Sequence, residues 1–143
     1  MELDYFTLYL RNYLRDHSFS EADLQAPIVK INADSAAQTY ENERKAGNSV
    51  IGATELANAD LFVGIGLSRL ETASDLLEDH FEERIQSSEP MVFDFWSQKL
   101  AEDDSIWVSF HKEGELGLNE ELVEEGKETL LHRIDQFLTT HGV

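Results

Sequence analysis

Cysteine is absent from the 143 residues, which excludes disulfides, thiolate nucleophiles and Cys-built zinc or iron–sulfur sites. Its absence fits a reducing compartment. Positive charge is scarce. Eleven Lys and Arg stand against twenty-nine Asp and Glu, for a net charge of −18. Binding to nucleic acid depends on Lys and Arg neutralising phosphates, so direct nucleic-acid binding is not expected. Anionic membrane surfaces are disfavoured on the same ground. Long apolar runs are also missing. The longest, Leu61 to Leu67, is far short of the roughly twenty residues a membrane span needs. The opening Met-Glu-Leu-Asp-Tyr-Phe has neither a basic segment nor an apolar core, so no signal peptide is expected. The expectation is a soluble cytoplasmic protein without membrane association.

What is present is an ordinary apolar fraction, 41%, enough for one domain with a real core. Acidity on this background does not imply disorder. Helical spacing predicts a first helix over Leu3 to Asp16, capped by Asp4, with Phe6, Leu10, Tyr13 and Leu14 inward and Tyr5 and Tyr9 on a neighbouring face. Ser20 and Asp23 have the spacing of a capping box. Pro27 suits a helical first turn, and Val29, Ala33, Ala36, Ala37 and Tyr40 then face inward until Lys45-Ala-Gly47. Glu41 and Arg44 are spaced to pair across one turn.

Asn48 to Gly52 reads as a turn leading into the segment on which the chain is centred. Ala53 to Ser68 is predicted to be a buried central helix. Leu56, Val63, Leu67 and Leu70 form one face, and Ala53, Ala57, Asp60 and Gly64 form a stripe of small residues. Ser68 and Glu71 open the next helix, with Leu70, Ala73, Leu77, Phe81 and Ile85 inward. Gln86 to Pro90 is a linker, and a helix apolar on more than one face runs from Pro90 to about Glu102, with Met91, Phe93, Phe95, Trp96 and Leu100. Ile106-Trp-Val-Ser-Phe110 has strand composition but no second strand to pair with, so it is expected to be extended or irregular. Asn119 caps a last helix in which Leu122, Val123, Leu130, Ile134, Phe137 and Leu138 face inward. The expected fold is all-α: one domain, 1–143, a bundle of five to six helices with an irregular aromatic segment before the last.

The first two-thirds carry a recognisable pattern. Its parts are Tyr5-Phe6-x-Leu8-x-Leu10-x-x-Tyr13-Leu14-Arg15; Ala33-Asp34-x-Ala36-Ala37-x-Thr39-Tyr40-Glu41-x-x-Arg44; and Glu55-Leu56-Ala57, Gly64 and Ser68. It resembles a family of small all-helical proteins of Bacteroidetes, a domain of unknown function often found beside mobile-element genes. The likeness spans residues 5 to 85 and departs over Ile106 to Leu118. The resemblance implies a compact helical fold in a bacterial cytoplasm, and brings no activity, cofactor or catalytic residue.

Chemistry is thinly signalled. Glu128 and His132 share a helix face with Asp135 one turn on, but a di-iron bundle needs Glu-x-x-His elements, and neither His80 nor His132 has a glutamate three residues before it. Gly64-Ile-Gly66-Leu-Ser68 lacks the Gly-Lys-Ser/Thr ending of a phosphate loop, and Ser68 lacks the setting of a nucleophile. No catalytic, cofactor or metal residue is assigned. Asp60, if the small-residue stripe is buried, needs a donor such as Arg44, a tyrosine hydroxyl or a helix N-terminus. The densest charge is Glu113, Glu115, Glu120, Glu121, Glu124, Glu125 and Glu128, offset only by Lys112 and Lys127. One reading is a solvated face. The other is a docking face for a basic protein, or carboxylates imitating a phosphate backbone.

The leading function is therefore a non-enzymatic interaction or accessory protein, with Glu120, Glu121, Glu124 and Glu125 as the partner-binding residues. The alternative is a small-molecule or metal-dependent enzyme with a pocket near Trp96 and Trp107. A third reading is a homodimer formed through the aromatic helix after Pro90.

Overall fold

The computed structural model describes residues 3–85 and 89–143, with side chains from residue 5 onward. Residues 1–65 and 66–143 form two compact units. The described residues are helical, with an isolated antiparallel bridge between Leu67 and Leu118 and no strand. None of the described helices is long and apolar enough to cross a membrane.

The first unit holds α1 (Leu3–Asp16), α2 (Glu21–Leu24), α3 (Pro27–Lys45) and α4 (Val50–Leu61). Phe6, Leu10 and Leu14 of α1 are fully buried and Tyr13 half-buried, as their spacing predicts. The cap assigned to Asp4 lies outside the described side chains. Ser20 Oγ accepts from the Asp23 amide at 3.1 Å and the Asp23 carboxylate accepts from the Ser20 amide at 3.3 Å, completing the capping box. Pro27 opens α3, where its missing N–H would have had no helical acceptor. α3 packs on α1 and α4. Asn32, buried on α3, donates from Nδ2 to the carbonyls of Leu61 (3.0 Å) and Val63 (2.7 Å), satisfying acceptors at the end of α4.

The expected central helix is shorter and earlier than its sequence suggests. It begins at Val50, capped by Ser49, and stops at Leu61. Ala53 and Ala57 are fully buried, so the small-residue stripe is right over its first half. The larger face is not: Leu56 is 47% exposed and Val63 62%. The cause lies beyond Leu61. Gly64 turns the chain at φ 73°, and Gly66 and Leu67 bond to another segment instead of continuing the helix. Glu41 pairs with Lys45 (2.8 Å), and Arg44 donates to the Asn48 carbonyl instead.

The second unit holds α5 (Arg69–His80), α6 (Glu82–Ile85), α7 (Pro90–Glu102), α8 (Asp104–Trp107), a 3-10 turn (Val108–Phe110), α9 (Glu120–Glu125) and α10 (Lys127–Thr140). Ser68 Oγ accepts from the Glu71 amide at 3.2 Å. Ala73, Leu77, Phe81 and Ile85 are buried as expected, with Leu76 beside them, and α5 packs on α7. Residues 86–88 of the expected linker lie outside the described set.

Two further expectations, both in this unit, do not hold. Ile106 to Phe110 is helical, not extended. Asp103 caps it by accepting from the Ser105 amide (3.1 Å), and Ile106, Trp107 and Phe110 face the core at helical spacing. Trp107 is fully buried, its indole N–H donating to the Leu100 carbonyl at 2.9 Å. The last helix is two helices, α9 and α10, broken at Gly126. A β-carbon there would stand 2.6 Å from the buried Phe110 ring, so a glycine at this position leaves that ring its place in the core.

Candidate functional site

Glu120, Glu121, Glu124 and Glu125 are all exposed on α9, opposite Leu122 and the buried Val123. Asn119 starts the helix, its Oδ1 accepting from the Leu122 amide at 3.0 Å. The approach to it is firmly held. Leu67 and Leu118 exchange two backbone bonds of 2.8 Å, the Gly66 amide donates to Leu116 at 2.7 Å, and the Asn119 amide donates to Phe110 at 2.7 Å.

A polar cluster pins the same loop. Arg69, the first residue of α5, donates from Nη1 to Asp104 at 2.6 Å, and its Nε and Nη2 approach His111 Nε2 at 3.3 and 3.0 Å. His111 Nδ1 lies 2.7 Å from the Gly117 carbonyl. A carbonyl can only accept, so the proton sits on Nδ1 and Nε2 receives the arginine. The Arg69 guanidinium holds the Asp104 carboxyl below its ordinary value, by hydrogen bond first and by charge second. Sequence reasoning missed this cluster because Asp104 and His111 lie 35 and 42 residues from Arg69.

The bases of this unit are largely engaged internally. Arg84 binds Asp135, Thr139 Oγ1 (3.0 Å) and the Val143 main-chain oxygen (2.8 Å). Arg133 donates to the Ile106 carbonyl and Ser109 Oγ, both at 3.0 Å, and lies over the Phe110 ring. Lys99 lies over Phe95 at 5.7 Å. Between residues 66 and 143 there are nineteen acidic side chains to six basic ones.

A cleft of about 320 Å³ opens between α8 and α10, lined by Asp103, Ser105, Ile106, Arg133, Gln136, Phe137, Thr140 and His141. His141 Nδ1 donates to the Phe137 carbonyl at 2.8 Å, and its ring lies 4.2 Å from that of Phe137. Trp96 stands edge-on to His141, with centroids 6.0 Å apart, and Phe95 edge-on to Trp96 at 5.1 Å. Of the two tryptophans proposed beside a pocket, Trp96 borders this cleft through His141, whereas Trp107 belongs to the core.

The remaining candidates are dispersed. Asp60 is half-buried and accepts from the Thr39 hydroxyl, a donor not among those anticipated. Glu128 and His132 are exposed, and Asp135 is paired with Arg84. No three His, Asp or Glu side chains converge at ligand distance among the described residues. Gly64 forms a turn and the Ser68 hydroxyl is spent on its cap.

No curated protein matches the chain. Among solved structures, it is similar to the crystal structure of protein PG0816 from Porphyromonas gingivalis, with a TM-score of 0.69 and 23% identity over 97% of this chain and 89% of that one. At that identity the likeness speaks for the fold. Residues 1–112 match the family described as "Domain of unknown function (DUF1896)", reaching past the 5–85 pattern into α8 and the 3-10 turn. With most of its length matched, the chain belongs to the DUF1896 family.

Proposed function

We propose that this is a non-enzymatic interaction protein that docks a basic protein partner on the carboxylates of α9. The observation that carries this reading is the exposure of Glu120, Glu121, Glu124 and Glu125 on one helix face, in a unit whose arginines are turned to internal bonds. Such a face focuses a negative field, which speeds and selects encounters with basic surfaces. In its most specific form the protein imitates a phosphate backbone and occupies the site of a DNA-handling protein, so its partner is a protein and not nucleic acid. Capture from nuclease-treated host lysate, eluted with a salt gradient and identified by mass spectrometry, is the test. A basic protein should elute only at raised salt, because screening shortens the field. The E120Q/E121Q/E124Q/E125Q variant should bind it about tenfold more weakly at low salt. Retention unchanged by salt or by the four substitutions sinks the proposal.

The rival reading, a small-molecule or metal-dependent enzyme, is favoured by the cleft beside Trp96. It requires thermal stabilisation by a metabolite or metal ion in a ligand screen.

A further inference from the structure

Large apolar side chains exposed on a helix need an account when they adjoin one another and a cleft. On α7, Met91 is 82% exposed and Phe95, one turn on, 51% exposed. Neither side chain serves the core of its unit. From Phe95 a chain of ring contacts runs inward, through Trp96 to His141 and from His141 to Phe137. His141 and Phe137 are walls of the cleft of about 320 Å³ between α8 and α10. The apolar strip on α7 and the cleft are therefore one continuous surface, open at the Met91 end and recessed at the Phe137 end.

The charged groups along this surface are three acids and two bases, beside the neutral polar Ser105, Gln136 and Thr140. Asp94 and Glu102 are exposed on α7, and Asp103 lines the cleft. Asp103 commits one carboxylate oxygen, Oδ1, to the Ser105 amide and hydroxyl. Its other oxygen is left to accept. The cation in the cleft, Arg133, spends both terminal nitrogens on Ile106 and Ser109. Lys99, beside the strip, is drawn over the Phe95 ring. An apolar strip flanked by carboxylates, in a unit with nineteen acids to six bases, complements one kind of occupant. A second copy of the chain would bring another −18 to the same place.

We infer that the α7 strip and the adjoining cleft form a docking groove for a cationic amphipathic helix of another protein. Its apolar residues seat on Met91, Phe95 and Trp96. One of its Lys or Arg side chains enters the cleft toward Asp103. This is helix-in-groove recognition, with apolar anchors supplying contact and flanking charge supplying choice of partner. The inference rests on the proposal of a basic protein partner, and places part of the contact on a surface separate from α9.

The test uses a synthetic Leu/Lys amphipathic helix of about eighteen residues as probe. Its controls are a scrambled peptide of the same composition and a Leu/Glu helix. Binding is followed by calorimetry and by tryptophan emission, to which half-buried Trp96 should respond and core-buried Trp107 should not. Met91→Ser with Phe95→Ser, both at exposed positions, should leave the fold intact and weaken Leu/Lys binding at least ~10-fold. Asp103→Asn should weaken it less, by about threefold. The two control peptides should bind poorly. Equal affinity of the M91S/F95S variant and the unaltered protein overturns the groove. In that case the E120Q/E121Q/E124Q/E125Q variant decides separately whether α9 attracts the peptide. A peptide that binds neither protein overturns the groove as well, while leaving lysate capture as the independent test of α9. Light scattering that shows a dimer dispersed by M91S/F95S would also overturn it, by making a second copy the occupant.

Discussion

Much of what holds this protein in place is carried by single residues whose importance is invisible in one dimension. Gly66 is the clearest. Inside the run Leu61 to Leu67 it reads as a close-packing position on a helix, but the chain is extended there and runs beside Leu116 to Leu118. A β-carbon on Gly66 would lie 2.1 Å from the Leu118 carbonyl oxygen and 2.9 Å from its carbon. Both obstacles are backbone, and both belong to the pair of segments that hold the start of α5 to the approach of α9. Gly66→Ala should therefore force the bridge apart and cost about 3 kcal/mol, the upper range for overpacking. Urea denaturation measures it, and a loss below about 0.5 kcal/mol would mean that the bridge contributes little. Asn32 and Trp107 belong to the same class. Each is committed by a bond to a carbonyl far along the chain or in the neighbouring helix, and neither bond follows from periodicity.

Elements were far more legible than contacts. α1 and α7 have the boundaries their patterns suggest, Leu3 to Asp16 and Pro90 to Glu102, because each combines helical spacing with a local stop or start signal. The capping box at Ser20 and the cap at Ser68 are also local, and both form. Elsewhere tertiary structure overrides local preference. Ile106 to Phe110 has strand composition and forms helical turns, since Asp103 caps it and the core accepts Trp107. The central helix stops at Leu61 because the following residues bond to Leu116 and Leu118. The cluster of Arg69, Asp104 and His111 is the sharpest case, two residues on separate helices and one in a loop, with nothing local to announce them. It also gives a pH signature. The Asp104 carboxyl is held below its ordinary value by Arg69, so its folded-state pKa is depressed. A depressed acid contributes stability above its unfolded value, about 3.9, and loses it as pH falls through the folded value. The Tm difference between the unaltered protein and the D104N variant should stay constant from neutral pH to about pH 5, then shrink below about pH 4. A difference that persists undiminished at lower pH would show that the carboxylate's charge is not what Arg69 requires.

At the scale of the whole molecule, charge is the dominant physical fact, and it is unevenly placed. Residues 1–65 carry ten acidic and five basic side chains, whereas residues 66–143 carry nineteen and six. The exposed apolar side chains are distributed in the opposite sense, with Leu8, Ile31, Val50, Ile51, Leu56 and Val63 in the first unit and Met91, Phe95 and Val108 in the second. Ion pairs do little to relieve the imbalance. Lys30–Asp34, Lys45–Glu41, Arg69–Asp104 and Arg84–Asp135 each neutralise one carboxylate, and in each pair at least one side chain is well exposed to solvent. Uncompensated like charge works against the folded state, which brings it closer together than the unfolded chain does. Salt should therefore stabilise this protein. Between about 10 and 100 mM NaCl the screening length falls from roughly 30 to 10 Å, so repulsion among the carboxylates is largely removed while contact pairs are only weakened. Tm should rise by a few degrees over that range, with ~1 kcal/mol corresponding to about 4 °C for a chain of this size. Scanning calorimetry at fixed pH 7 reads it directly. A Tm that falls with salt would mean that ion pairing outweighs the repulsion. The acidic residues would then be balanced within the fold, leaving little field to draw a basic partner to α9.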